Sequence, residues 1–165
     1  TYPHFEVDHL GFSKMRGRFD RTTGKMVIDR AAKTGSIDLV VQTASISTGD
    51  NDKGSRPRAR DEHLRSPDFF NVAEFPTMTI KSTKVTFKGD NPDTIDTNVT
   101  LLGVTKPMSL HIDFWKCGQH PANKREMCGG NASGTIKRTD FGMRYGLPGV
   151  GDELKIWVEF EAFKD

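Results

Sequence analysis

Four side chains in this sequence, His9, His63, Asp61 and Asp140, are of the types that carry general acid–base chemistry. To do so they need hydrogen-bond reach to one another and to a nucleophile or a metal. The chain holds no GxSxG elbow, no HExxH pair and no clustered His, Asp and Glu at ligand spacing. His9 shares the parity of Phe5 and Val7, so it is expected to face inward as a pocket-lining histidine. The expectation is a protein that is not an enzyme, with no catalytic residue, no metal and no resident cofactor.

Cys117 and Cys128 lie close together in CGQHPANKREMCGG. Their spacing fits no CxxC redox or zinc motif, and the segment carries one histidine, His120. A disulfide closing a short loop is the expected state, which implies an oxidising compartment. The densest basic stretch holds Lys53, Arg56, Arg58, Arg60 and Arg65, five bases against the two acids Asp61 and Glu62. One reading is a solvated face laced with ion pairs. The other is a rim that grips a phosphate or pyrophosphate head group, with Arg56 and Arg58 as its residues, because guanidinium forks suit phosphate oxygens. The residues leave both open. Arg60 is expected to tie its segment to a buried carboxylate, and Arg138 to pair with Asp140 in a structural role.

These side chains must be placed by a chain of 165 residues, enough for one domain over 1–165 with a large core or a cavity. It is 35% hydrophobic and 28% charged, a soluble, turn-rich composition, and no apolar run reaches the ~20 residues of a membrane-spanning helix. A net charge of +2 is too small to propose nucleic acid as a partner. Period-two alternation runs through Phe5–Val7–His9, Met26–Ile28, Ile37–Leu39–Val41, Met78–Ile80, Ile95–Thr97–Val99–Leu101, Met108–Leu110–Ile112–Phe114 and Ile156–Val158–Phe160. Turns are expected at Thr23-Gly24, Gly89 to Pro92, Gly103, Gly129-Gly130 and Gly146 to Gly151, and a phase change predicts a bulge between Ser82 and Lys84. The pattern is all-β, a sandwich or barrel, with one helical insertion.

That insertion opens the run RDEHLRSPDFFNVAEFPTMTIKST, residues 60 to 83. Asp61 and Arg65 stand at the supportive i,i+4 spacing, and Ser66-Pro67 has the grammar of a cap opening a second short turn. Leu64, Phe69 and Phe70 must be buried somewhere. They either plug an ordinary core or roof a ligand cavity, and periodicity does not separate the two.

Five fragments in order resemble the YceI-like family of bacterial lipocalin-like proteins. They are FEVDHLGFSKMRGRF at 5 to 19, SISTG at 45 to 49, the RD-x-HL…S-x-DFF…P order from Arg60 to Pro76, LLGVTKP at 101 to 107 and IKRTDFGM at 136 to 143. The resemblance implies an eight-stranded antiparallel lipocalin-like barrel with a short helical lid, whose apolar interior holds an isoprenoid-tailed lipid of the polyprenyl phosphate or quinone type. It also implies a periplasmic or secreted chain, mature after removal of a signal peptide. Two departures stand out. The family's usual first strand begins before Thr1, so that strand is expected to be truncated and to leave edges for a possible homodimer, and His4 does not occupy the family's first histidine position. The cysteine loop occurs only in some members.

The expected function is a carrier, store or scavenger of an isoprenoid lipid or other hydrophobic small molecule. The expected cavity residues are Phe5, Val7, His9, Leu39, Val41, Leu64, Phe69, Phe70, Met78, Ile80 and Leu110. The alternatives are an interaction module with a filled core, and an enzyme acting on a lipid head group.

Overall fold

Alternating segments of this kind bury one face each, and a single curled sheet lets all of them share that face. The computed structural model describes residues 1–164, and in it the chain forms ten strands and one α-helix. They are β1 (Tyr2–His9), β2 (Ser13–Phe19), β3 (Thr22–Asp29), β4 (Thr34–Gln42), β5 (Ile46–Ser47), α1 (Arg60–Arg65), β6 (Thr77–Lys88), β7 (Asn91–Leu101), β8 (Val104–Gln119), β9 (Glu126–Lys137) and β10 (Val150–Phe163). Short 3-10 turns cover Thr43–Ser45 and Arg138–Phe141. The sheet order is β3-β4-β6-β7-β8-β9-β10-β1-β2-β5, antiparallel throughout.

The expected eight-stranded barrel is therefore a ten-stranded half-barrel. Its edges are β3 and β5, and β5 meets β2 through only two pairs, Arg18↔Ser47 and Phe19↔Ile46. Closure stops there because the chain after Ser47 leaves the sheet and crosses the end of the barrel instead of extending the ladder. The first strand, expected to be short, is paired on both sides, with β10 from Tyr2 to His9 and with β2 from His4 to His9.

One continuous core fills the curl, with Phe5, Phe19, Val41, Ile80, Ile95, Val99, Leu110 and Leu154 all buried. Burying each such side chain contributes about 1.5–3 kcal/mol. The register of β6 on β7 slips between Ser82 and Lys84, where the sequence changes phase. A second slip, on β8 between Ile112 and Phe114, turns Phe114 out to solvent and Trp115 in toward the core, against the uninterrupted alternation expected there. Two expected turns are strand interiors. Gly24 lies within β3 and Gly129-Gly130 within β9. A Cβ on Gly24 would collide with the Asp38 carbonyl, and one on Gly130 with the Phe114 carbonyl and the Phe160 ring. These glycines permit close approach of neighbouring strands, not reversal of the chain.

Cys117 and Cys128 face each other across β8 and β9 and are disulfide-bonded. The bond closes the hairpin far from α1. Cys117→Ser with Cys128→Ser should lower stability in urea by about 2–3 kcal/mol, from loop-closure entropy. An unchanged unfolding midpoint would show that the β8–β9 ladder alone fixes this hairpin.

Candidate functional site

Residues 48 to 76 cross one end of the barrel and form a roof around α1. The helix starts without a side-chain cap. Its anchor is Asp61, 2% exposed, whose Oδ1 accepts from the Thr48 amide at 2.9 Å and the Thr48 hydroxyl at 2.6 Å. Arg56 sets its fork on Asp50 at 2.7 and 2.6 Å, and Arg60 Nη2 lies 3.3 Å from the same carboxylate. The Arg56 hydrogen bond, then the charges of Arg56 and Arg60, hold the Asp50 carboxyl below the usual carboxylate range. Arg60 does tie the helix to a carboxylate, that of Asp50.

The expected Asp61–Arg65 pair does not form, because each side chain has a nearer partner. Arg65 instead donates to the carbonyls of Ala44 and Ile46, both at 2.8 Å. Ser66 does not cap a second helical turn. Its hydroxyl donates back to the His63 carbonyl at 2.7 Å, and the chain tightens into a turn with Phe69 N–H on Ser66 O at 3.0 Å and Asn71 N–H on the same oxygen at 2.9 Å. Asn71 closes it at φ 42°. This turn drives Phe69 and Phe70 into the barrel end.

Phe70 meets Phe19 edge-on with ring centroids 5.4 Å apart. Phe69 packs edge-on against His63 at 5.0 Å and Tyr145 at 5.2 Å, and His63 and Tyr145 are themselves 5.0 Å apart. Behind these rings lies a cavity of about 80 Å³, whose walls include Phe5, Val7, Phe19, Leu64, Phe69, Phe70 and Met78. In front of them an opening of about 350 Å³ is lined by His9, Met15, Thr48, Arg56, Arg58, Arg60, His63, Tyr145 and Val150, together with Phe5, Val7, Leu64 and Phe69. Phe5, Val7, Leu64, Phe69 and Val150 border both spaces.

One charged side chain reaches the inner cavity. Arg138, 3% exposed, donates to the carbonyls of Gly151 (2.8 Å), Tyr145 (3.2 Å) and Val150 (2.8 Å). Burial pushes its basicity down, and the charge of Asp152 works against that. The expected pairing with Asp140 is absent. Asp140 is exposed, and Arg138 turns inward to staple the loop before β10 to its own turn.

Of the expected cavity residues, Phe5, Val7, His9, Leu64, Phe69, Phe70 and Met78 line the cavity or its opening. Leu39, Val41, Ile80 and Leu110 belong to the filled core further down the barrel. Arg56 lines the opening, but its donors are committed to Asp50 and to the carbonyls of Asp52 and Lys53, so it clasps the loop and is not a free rim cation. Arg58 donates at 2.9 Å to Asp68, which also sits 2.8 Å from His63 Nε2. The acid–base set is not assembled: His63 pairs with Asp68, Asp61 with Thr48, and Asp140 faces solvent. Among the described residues no group of His, Cys, Asp and Glu is placed to hold a metal. Sequence reasoning missed Phe19, Arg138 and Tyr145. Phe19 carried a legible inward parity, whereas Tyr145 sits in a loop whose path has no period.

Two wider openings, about 910 and 740 Å³, flank the disulfide end. They are lined by apolar side chains such as Met26, Ile28, Trp115 and Phe163, or Tyr2, Phe114 and Phe160, with charged residues such as Lys25, Asp29 and Glu126, or Lys116 and Glu161, among them. Size alone does not favour them. The smaller space under α1 combines buried aromatic walls with a few polar groups, which is how small-molecule sites are built.

A curled antiparallel sheet around an apolar interior, roofed at one end, defines a lipocalin-like protein. The chain belongs to the YceI-like family, whose domain model, described as YceI-like domain, matches residues 1–162. It is 35% identical over 164 residues to a UPF0312 protein of Pseudomonas aeruginosa, covering 99% of this chain and 82% of that one. The Campylobacter jejuni YceI protein shares the fold with TM-score 0.78 at 24% identity, over 96% of this chain and 90% of the other. A polyisoprenoid binding domain from Saccharophagus degradans superposes with TM-score 0.61 at 15% identity, over 99% of this chain and 94% of that domain.

The Asp68 latch yields a pH prediction. The hydrogen bond from His63, then that from Arg58, holds its carboxyl below the ordinary range. A carboxyl depressed on folding contributes above its unfolded value and loses that contribution as pH falls through the folded value. Hydrogen-exchange protection at the Phe69 and Phe70 amides should therefore persist at neutral pH and step down only in acid below the usual carboxylate range. Asp68→Asn should exchange faster at neutral pH and lack the step. Identical protection in both proteins across that range would remove Asp68 from the latch.

Proposed function

We propose that the chain binds an isoprenoid-tailed lipid, of the polyprenyl phosphate or quinone type, beneath the α1 roof, and serves as its carrier, store or scavenger. The observation that carries this reading is the apolar cavity adjoining a polar-rimmed opening across shared walls that include Leu64 and Phe69. The ligand class is also supported by the polyisoprenoid binding domain among the proteins that share the fold. The mechanism is burial, with each methylene removed from water contributing about 0.8 kcal/mol. Arg58, on the opening, is the rim residue suited to a phosphate oxygen.

The inner cavity of about 80 Å³ is well below the ~300–1,000 Å³ of ordinary small-molecule pockets. A tail of tens of carbons needs Phe69 and Phe70 to swing aside, so the reading requires a roof that moves while the sheet stays put. The same small volume favours the second reading, an interaction module with a filled core. A periplasmic or secreted location belongs to the first reading, with a disulfide compatible with an oxidising compartment. Pairing of two copies through the free edge of β3 is a further part of it.

Native mass spectrometry of the purified protein, followed by denaturation and lipid identification, separates the readings. A stoichiometric adduct with an isoprenoid fragmentation series is the expected result. A clean mass that persists after incubation with polyprenyl phosphates and quinones favours the filled-core module. With a ligand in hand, Phe69→Ala should speed its release, and Phe69→Leu should do so less. Unchanged off-rates in both would refute Phe69 as the gate.

A further inference from the structure

The opening under α1 is rich in arginine, yet its charges cancel. Arg56, Arg58 and Arg60 line it. Arg56 and Arg60 share the Asp50 carboxylate, and Arg58 is held by Asp68 at 2.9 Å. The buried Asp61 carboxyl lies on Thr48, whose hydroxyl is in turn 3.5 Å from Arg60 Nη1. The guanidiniums at the mouth thus stand against Asp50, Asp61 and Asp68, and His63 leans on the same Asp68 oxygen that Arg58 uses. Arg144, beside Tyr145 in the chain, does not line the opening. Deeper in, Arg138 spends Nε, Nη1 and Nη2 on the carbonyls of Gly151, Tyr145 and Val150.

A phosphate drawn to Arg58 would meet the Asp68 carboxylate already on that guanidinium. Like charge at that range, and the water stripped from an anion, oppose its entry. What the mouth offers instead is an aromatic corner. The rings of His63, Phe69 and Tyr145 stand edge-on to one another, with centroids 5.0, 5.0 and 5.2 Å apart. The Tyr145 backbone carbonyl accepts from Arg138 at 3.2 Å, which ties its loop to the inner wall, while its hydroxyl makes no hydrogen bond among the described residues. A phenol both donates and accepts, so it can answer a carbonyl or a hydroxyl with no charge on either side. Aromatic walls with one well-placed polar group suit a small neutral head.

We propose that the opening selects lipids for a neutral, oxygen-bearing head, with Tyr145 as the specificity-determining residue that hydrogen-bonds the head oxygen and the closed arginine–aspartate pairs turning phosphate away. The proposal rests on the reading that a lipid enters beneath α1, and it separates the two head classes, phosphate and quinone, that the reading holds together.

Calorimetric titration with three ligands of one tail length tests it: decanol, a decyl-substituted benzoquinone and decyl phosphate. The alcohol and the quinone should bind at least about tenfold tighter than the phosphate. Tyr145→Phe keeps the ring and should weaken the alcohol and the quinone about fivefold, the loss of one hydrogen bond, without weakening the phosphate. A role for Tyr145 confined to packing would move all three alike. Asp68→Asn leaves Arg58 without its carboxylate and should raise the affinity for decyl phosphate relative to decanol, a gain that high salt removes. Decyl phosphate bound as tightly as decanol by the wild-type protein, or unchanged selectivity in Tyr145→Phe, overturns the proposal while the lipid reading stands. Failure of all three ligands to bind overturns it together with that reading.

Discussion

The roof is held down by a buried carboxyl that no cation neutralises. Asp61 sits inside the barrel end and spends its acceptor on both donors of Thr48. Burying such a group without partners is costly, so the pairing fixes where α1 must lie. Once α1 is fixed, the tight turn after Ser66 has one place to put Phe69 and Phe70, and the rings close the end of the curl. The cavity and its opening both follow from where that carboxyl is satisfied.

A second constraint is the incomplete closure of the sheet. With β5 reduced to two pairs, the ladder has no continuous seam on that side. Arg65 compensates by donating to the Ala44 carbonyl between β4 and β5 and to the Ile46 carbonyl on β5, and Thr43 bonds the Phe75 carbonyl at 2.7 Å. The two ends of the barrel differ accordingly. One is sealed by side chains on a loop, the other carries a covalent cross-strand bond between β8 and β9.

Much of the sheet was legible because a half-buried strand writes its facing into every second residue. The parity of Phe5 and Val7 and the phase change at Ser82 both stand in the structure. Phe114 was misread because a bulge at Asp113 leaves no mark in an alternating run. Glycines misled for a related reason: Gly24 and Gly130 serve neighbouring strands that the local sequence does not reveal. Within the site, the aromatic plug was legible and its polar wiring was not. Asp61 and Arg65 look like a helix pair in sequence, yet each takes a partner more than ten residues away. Arg138 resembled a surface base next to Asp140, and only the tertiary path of the loop before β10 shows it to be an interior staple.

The roof's own carboxylates are answered from within it, while Arg65 and Thr43 tie it to the sheet. Asp61 answers Thr48, Asp50 answers Arg56 and Arg60, and Asp68 answers Arg58 and His63, every partner falling between residues 48 and 68. That makes the segment an internally wired unit carried between β5 and β6, joined to the sheet by Arg65, Thr43 and the Phe69 and Phe70 rings. The consequence is a division of labour, in which the ladder carries the shape while a stretch of fewer than thirty residues, tied to it at a few points, borders the opening.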